Sequence, residues 1–314
     1  MKKWSILLII VIFMAGCSKQ YQPTIRLGLV SWIGYSPLYI AEAKGWLPKN
    51  IRIVDFPSNY DIIDAMKLDT LEASSLTLDE MLMHHKDLAD YRAIWLIDYS
   101  NGADALLAAP NIKNLQDLKG KRVAYEPQSV QEFLLERALQ KAHLSYNDII
   151  LKPVKYDQVL QAWNRHEIDA AATFEPLKSD LYRQGMHTVF DSSQIPYEIV
   201  YLLVVKKSEL DRDTIAALIK AYNKGLRFIR RKPSDSYEII GHYLHITPNE
   251  VQKALKGVHL LGCKENYDAI NKQNILRNSY NTVMDFLLQQ GYIHKKPHLH
   301  EVFSFAYMQR CKKR

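Results

Sequence analysis

The sequence predicts an α/β protein in two domains, and three observations carry that reading. Short β-rich runs alternate with amphipathic helical runs through residues 25–205, the pattern of strands joined by helical crossovers. The chain has 314 residues, beyond the roughly 250–300 at which a single core stops growing. Its composition is globular, 47% apolar and 24% charged, with only 12 Gly, 12 Pro and 3 Cys. That excludes collagen-like, low-complexity and disulfide-scaffold chains.

The first residues form a leader rather than part of the fold. Lys2 and Lys3 precede an apolar run from Trp4 to Met14, and the small residues Ala15 and Gly16 stand before Cys17. This is the layout of a signal peptide over residues 1–16, too short for the roughly 20 apolar residues of a spanning helix. Met14-Ala15-Gly16-Cys17 resembles a bacterial lipobox, which implies that Cys17 becomes the acylated first residue of the mature chain. Residues 17–24 then read as a flexible polar tether. Loss of Lys2 and Lys3 lowers the formal charge from +7 to +5. The basic residues are scattered apart from 227–232 and the last three positions, so no nucleic-acid partner is expected.

The elements follow in order. Ile25 to Val30 is a strand, followed by a turn at Trp32–Pro37 and a helix to Lys44. Ile51 to Phe56 is a second strand and Tyr60 to Lys67 a second helix. Ala93 to Asp98, Ala105 to Ala109 and Arg122 to Tyr125 are further strands, and the expected sheets are mainly parallel. Ser129 with Glu132 forms a capping box at the start of an apolar-faced helix. Ile149 to Val154, Ala170 to Phe174 and Val200 to Val205 complete the strands, with a helix at Tyr156–Arg165. Beyond Asp211 the pattern turns helical, with a stripe at Ile215, Leu218, Ile219, Tyr222, Leu226 and Ile229.

The run Trp32-Ile33-Gly34-Tyr35-Ser36-Pro37-Leu38-Tyr39-Ile40-Ala41 with Gly45 resembles the opening of a family of periplasmic solute-binding proteins. These serve nitrate, sulfonate and taurine importers and include thiamine-pyrimidine binders. Asp98 to Asp104, Asp117 to Val123, Glu126 with Ser129, and Ile168-Asp169-Ala170 leading to Phe174-Glu175-Pro176 follow in the same order. The resemblance spans about residues 25–205 and implies the type II two-lobe fold: lobe one from 25–107 plus 204–314, lobe two from 108–203, with two hinge crossings. Where many relatives carry glycine, this chain has Pro127-Gln128, His166 and the Leu68-Asp69 turn.

In such a fold ligand lies between the lobes, at strand carboxyl ends and helix N-termini. Trp32 and Tyr35, in the first turn, can stack on a planar ligand or enclose a cation, whereas Tyr39 reads equally as core. Ser75 and Thr77 offer hydroxyls, as does Ser100. Asp98, Glu126 and Glu175 end strands and can accept hydrogen bonds from a ligand amine. Phe174 adds an aromatic face. Gln128 and Ser129 stand at a helix start whose free N–H groups suit an oxygen atom, and Ser129 also suits a cap. This acidic and aromatic inventory favours an aminopyrimidine or an amino-sulfonate such as taurine over bare nitrate, unless Arg26 or Arg122 reaches the cleft.

The function implied is a lipid-anchored, monomeric binding protein on the periplasmic face of a bacterial membrane, handing a small solute to an ABC permease and its ATPase. No cofactor or metal is expected. There is no phosphate loop, nucleophile elbow or zinc-protease pair. His84-His85 reads as a solvated helix end, and His294, His298 and His300 as an exposed tail rather than a metal site. Cys263 and Cys311 either pair or remain two thiols. Two other readings stay open: a pyrimidine-synthesising enzyme like the fungal proteins that share the fold, and a sensing module for a signalling partner.

Overall fold

The computed structural model of the chain describes residues 23–210, 213–272 and 275–313. The leader, Cys17 and most of the tether lie outside them. Among the described residues, eleven strands build two sheets. The first holds β1 (Ile25–Leu29), β2 (Ile51–Asp55), β3 (Ala73–Thr77), β4 (Tyr91–Ser100), β10 (Val200–Lys206) and β11 (Val258–Leu260), in the order β11-β4-β10-β3-β1-β2. The second holds β5 (Ala105–Ala108), β6 (Arg122–Tyr125), β7 (Ile150–Pro153), β8 (Ala170–Thr173) and β9 (His187–Asp191), in the order β7-β6-β8-β5-β9.

Each sheet has a parallel and an antiparallel part. β1 pairs in parallel with β2 and β3, and β6 with β7 and β8, the arrangement that strand–helix–strand units produce. β10 runs antiparallel to β3 and β4, as β5 does to β8 and β9. Parallel pairing is therefore confined to those units, because β5 and β10 receive the chain from the opposite sheet. Sheet membership also moves the expected lobe boundaries at 107/108 and 203/204 toward the N-terminus. The chain passes between sheets at residues 101–104 and again at 192–199. The antiparallel pairing of Ala105 with Thr173 and Asp191 claims β5 for the second sheet.

Local chemistry sets the helices. These are α1 (Ser36–Ala43), α2 (Asn59–Lys67), α3 (Leu78–Met83), α4 (Val130–Lys141), α5 (Val159–Asn164), α6 (Leu177–Arg183) and α7 (Asp213–Arg231). The Ser58 hydroxyl accepts the Asp61 N–H at the start of α2, and Ser129 accepts the Gln131 N–H at the start of α4, as N-caps do. Glu132 does not close the expected box on Ser129. Gln128 is left-handed at φ 57°, and its N–H reaches Glu132 Oε2 at 2.7 Å instead. His166 and Asp69 are left-handed too, at φ 55° and 59°, so this chain keeps a glycine-type backbone with larger side chains at these turns.

The apolar stripe of α7 is buried as its spacing predicts. α7 packs on α1 so closely that a Cβ at Gly225 would lie 2.0 Å from the Pro37 carbonyl oxygen. Further helices follow, α8 (Pro233–Leu244), α9 (Pro248–Ala254), α10 (Cys263–Asn271), α11 (Ile275–Gln289) and the short α12 (Leu299–Val302) and α13 (Ala306–Gln309). Cys263 and Cys311 form a disulfide with Cα atoms 5.3 Å apart, tying the start of α10 to the C-terminal turn. His84 is not a solvated helix end: it is 6% exposed, and burial holds its pKa below the usual histidine range. The His298 N–H donates to Glu301, and the His298 and His300 rings stack at 5.4 Å. Among the described residues no helix is long and apolar enough to cross a membrane.

The two sheets and their helices meet along a closed seam. Lys155 pairs with Asp61 at 2.9 Å and Arg183 with Glu250 across it. The Val130 N–H donates to Glu80 Oε1 at 3.2 Å, and Phe133 meets Phe286 edge-on at 4.9 Å.

Candidate functional site in the seam between the sheets

Strand ends deliver the polar groups of the seam. Register in the first sheet sets Thr77, Tyr201 and Asp98 side by side across β3, β10 and β4, so their side chains leave one face, together with Ser75 two positions earlier. From the second sheet come Thr173 at the end of β8, Phe174 just beyond it, and Glu126 directly after β6.

Aromatic rings join the two sides. Trp32, with no exposed surface, stacks on Tyr201 at 4.3 Å and 19° and meets Phe174 of the second lobe edge-on at 5.5 Å and 88°. Phe174 in turn stacks on Tyr156 at 4.2 Å. The Trp32 indole Nε1 donates to Asp98 Oδ2 at 3.1 Å, and the Tyr201 hydroxyl donates to Asp104 Oδ1 at 3.1 Å. Tyr35 stands edge-on to Tyr201 at 6.2 Å. Gly34 is required here: a Cβ would lie 2.0 Å from Asp98 Oδ2 and 2.2 Å from Trp32 Nε1. Tyr39 supports the turn from behind, its hydroxyl accepting the Trp32 N–H at 3.3 Å while its ring stacks on Tyr243.

The electrostatics are one-sided. Asp79, Glu80 and Asp98 have no exposed surface, Asp104 1% and Glu126 2%. Burial raises all of them, Glu80 included, with Asp79 and Asp98 well above the usual carboxyl range, Asp104 at about 7 and Glu126 at about 8. Neighbouring acids add to the rise, Glu80 on Asp79 and Glu126, and Asp104 on Asp98. Tyr35 and Tyr201 are also pushed well up by burial and remain phenols. Several acceptors are unsatisfied: Asp98 Oδ1 and Asp104 Oδ2 have no hydrogen-bond partner among the described residues, and the carboxyls of Asp79 and Glu126 have only the hydroxyls of Thr77 and Ser58 beside them. The Thr173 hydroxyl shares that condition, whereas the Thr77 side chain caps the start of α3 and the Ser75 hydroxyl meets the Tyr35 phenol. Buried polar atoms are normally paired, so this concentration marks a place that wants hydrogen-bond donors between aromatic faces. Among the described residues no cluster of three or more His, Cys, Asp or Glu is arranged to hold a metal ion.

Of the residues expected from sequence, Trp32, Tyr35, Ser75, Thr77, Asp98, Glu126 and Phe174 converge on the seam. The others have different partners. The Ser100 hydroxyl bonds Ser192 at 2.7 Å and accepts the Asp104 N–H at 3.0 Å, fixing the first crossing. Gln128 is exposed. Ser129 caps α4 and donates to the Glu126 carbonyl at 2.7 Å. Glu175 Oε2 accepts both the N–H and the hydroxyl of Ser179, so it serves the first turn of α6. Arg26 and Arg122 stay outside, paired with Glu72 and Asp169. Asp79, Glu80, Asp104, Tyr156, Thr173 and Tyr201 were not expected at the site. Tyr201 had a signal, a ring with a polar tip inside an otherwise aliphatic strand, as did the acid pair following the strand end at Thr77.

Two α/β lobes, two crossings between them and a buried polar seam at the strand ends define the fold of the periplasmic binding proteins. The chain belongs to the family described as NMT1/THI5 like, whose pattern matches residues 32–236. A Haemophilus influenzae protein named for thiamine biosynthesis is 24% identical over 279 residues, 83% of this chain and 84% of that one. Among solved structures, the alkanesulfonate-binding protein SsuA of Xanthomonas axonopodis pv. citri, bound to MOPS, superposes with TM-score 0.76 at 18% identity, over 91% of this chain and 99% of that one. The ligand-binding component of an ABC-type import system from Staphylococcus aureus superposes with TM-score 0.77 at 14% identity, over 93% of this chain and all of that one.

Proposed function

We propose that this protein is the solute-binding component of an ABC-type importer and that its cargo is a small planar N–H donor of the aminopyrimidine class. The observation that carries the reading is the set of unpartnered carboxyl oxygens between aromatic rings. An aminopyrimidine brings donors to those oxygens and a flat face to Trp32, Tyr201 and Phe174. An alkanesulfonate would place an anion, without N–H donors, against Asp98, Asp104 and Glu126. The relative named for thiamine biosynthesis supports the same ligand class. Ligand that touches both lobes binds the closed arrangement more tightly and shifts the population toward it, which gives a permease a state to select. Acyl chains on Cys17 would hold the protein beside that permease at the periplasmic face.

A thermal-shift panel of aminopyrimidines, taurine, alkanesulfonates and nitrate tests this. A ligand at a hundredfold its Kd stabilises by about 2.7 kcal/mol, or roughly 5–10 °C for a domain of this kind. Aminopyrimidines are expected to give that shift, and Asp98→Asn or Trp32→Ala to reduce it. Sulfonates raising the melting temperature while aminopyrimidines leave it flat would refute the ligand class. Chemical analysis after incubation is expected to return the compound unchanged, and conversion with turnover would replace binding by catalysis.

A further inference from the structure

The charge balance of the seam is unusual for a joint that has to open and close. Asp79 and Glu80 come from α3, Asp98 from β4, Asp104 from the first crossing and Glu126 from the second sheet, so five acids from both lobes meet where water is excluded. None of them forms an ion pair among the described residues. Two lysines act on the cluster from its margins, Lys155 on Glu126 and Lys178 on Asp104, and each has another partner: Lys155 pairs with Asp61, and Lys178 donates to the Gly102 carbonyl oxygen at 2.5 Å. The other titratable groups facing the cluster are phenols, Tyr35 and Tyr201, while Glu175 is held by Ser179. His84, just past the end of α3, is buried, and that burial lowers its pKa. The Thr173 hydroxyl, 1% exposed and without a partner among the described residues, points independently to a ligand in the same place.

We infer that lobe closure is charge-dependent: the seam stays shut only when protons or a cationic ligand neutralise its acids, so the cargo is captured as a cation. This rests on the solute-binding reading and specifies it. Ionised carboxylates buried without partners carry a large desolvation cost and repel one another. Opening the seam relieves both. A cation seated between Asp98, Asp104 and Glu126, with Trp32 and Tyr201 at its faces, relieves them with the lobes closed and displaces protons to solvent. Closure therefore weakens as pH rises unless cargo is present, and affinity for a permanent cation strengthens over the same range.

Small-angle scattering of the full mature chain tests this without any variant. At pH 5.5, without added solute, the radius of gyration should sit near the compact value of about 19 Å, and at pH 8.5 it should rise by roughly 1 Å or more. Superimposable curves at the two pH values overturn the inference. Asp104→Asn combined with Glu126→Gln should stay compact at pH 8.5, and opening like the parent overturns the assignment to these acids. At pH 8.5, N1-methyl-4-aminopyrimidinium should restore the compact form and neutral 4-aminopyrimidine should not. Equal closure by both overturns charge dependence. Failure of both probes, beside opening driven by pH, upholds the charge dependence and refutes the aminopyrimidine reading, so the two proposals fail separately.

Discussion

Replacing Gly34 by alanine sets the smallest possible side chain against the central hydrogen bond of the seam. The added Cβ would lie 2.0 Å from Asp98 Oδ2 and 2.2 Å from Trp32 Nε1, closer than any methyl can approach, so the indole and the carboxyl have to part. Both are fully buried, and Asp98 Oδ1 already lacks a partner. Loss of the indole donor leaves the whole carboxyl unsatisfied, at a cost of about 1–3 kcal/mol. Displacement of the packed Trp32 ring costs about 1–3 kcal/mol more. A total of about 2–6 kcal/mol corresponds to a fall of roughly 3–10 °C in melting temperature for a chain of this length. The assay is thermal unfolding followed by circular dichroism, with tryptophan fluorescence reporting the indole environment. Gly34 has a negative φ, so backbone strain does not contribute, and Trp32→Leu in the Gly34→Ala background should recover part of the loss. A variant that melts within about a degree of the parent, with an unchanged emission spectrum, would refute the reasoning.

Stability should fall as pH rises. Asp104 and Glu126 have folded-state pKa values raised to about 7 and about 8, so the folded chain binds more protons than the unfolded chain above about pH 4, and the advantage is lost through pH 7–8. Melting temperatures measured at pH 5 and pH 8.5 should differ by several degrees in the parent and by less in Asp104→Asn, and parallel profiles would remove these acids from the account. Reduction of the Cys263–Cys311 bridge, which spans 48 residues, should cost up to about 4 kcal/mol through freed loop entropy. Calorimetry of the Cys263→Ser, Cys311→Ser double variant checks this, and an unchanged melting temperature would count against it.

The two kinds of site residue differ in how local their chemistry is. Ser129 and the start of α4 can be read from neighbours three positions away, because an N-cap is a contact within one turn. Trp32 stands out for a similar reason, as a large ring in a turn rather than on an apolar stripe. Tyr201 looks like an ordinary member of the strand Val200–Lys206, and only pairing with β3 and β4 sets it between Thr77 and Asp98. Glu126 and Glu175 look alike in sequence, each an acid after a strand. They separate because Ser179 donates twice to Glu175, in short bonds within one turn, while among the described residues Glu126 has no carboxyl hydrogen bond as close.

The sequence by itself determined the alternation of strands and helices, the buried stripe of α7 and the residues that begin the seam, because hydrophobic period, caps and turns act over a few positions. It also carried the family resemblance in an ordered set of short motifs. Only the tertiary structure decided where the chain changes sheets, that Cys263 meets Cys311, and that acids separated by up to 47 positions share one dry compartment. Those outcomes depend on which strands become neighbours. A carboxyl group's surroundings, and hence its charge and its partner, are fixed by contacts distant in the chain.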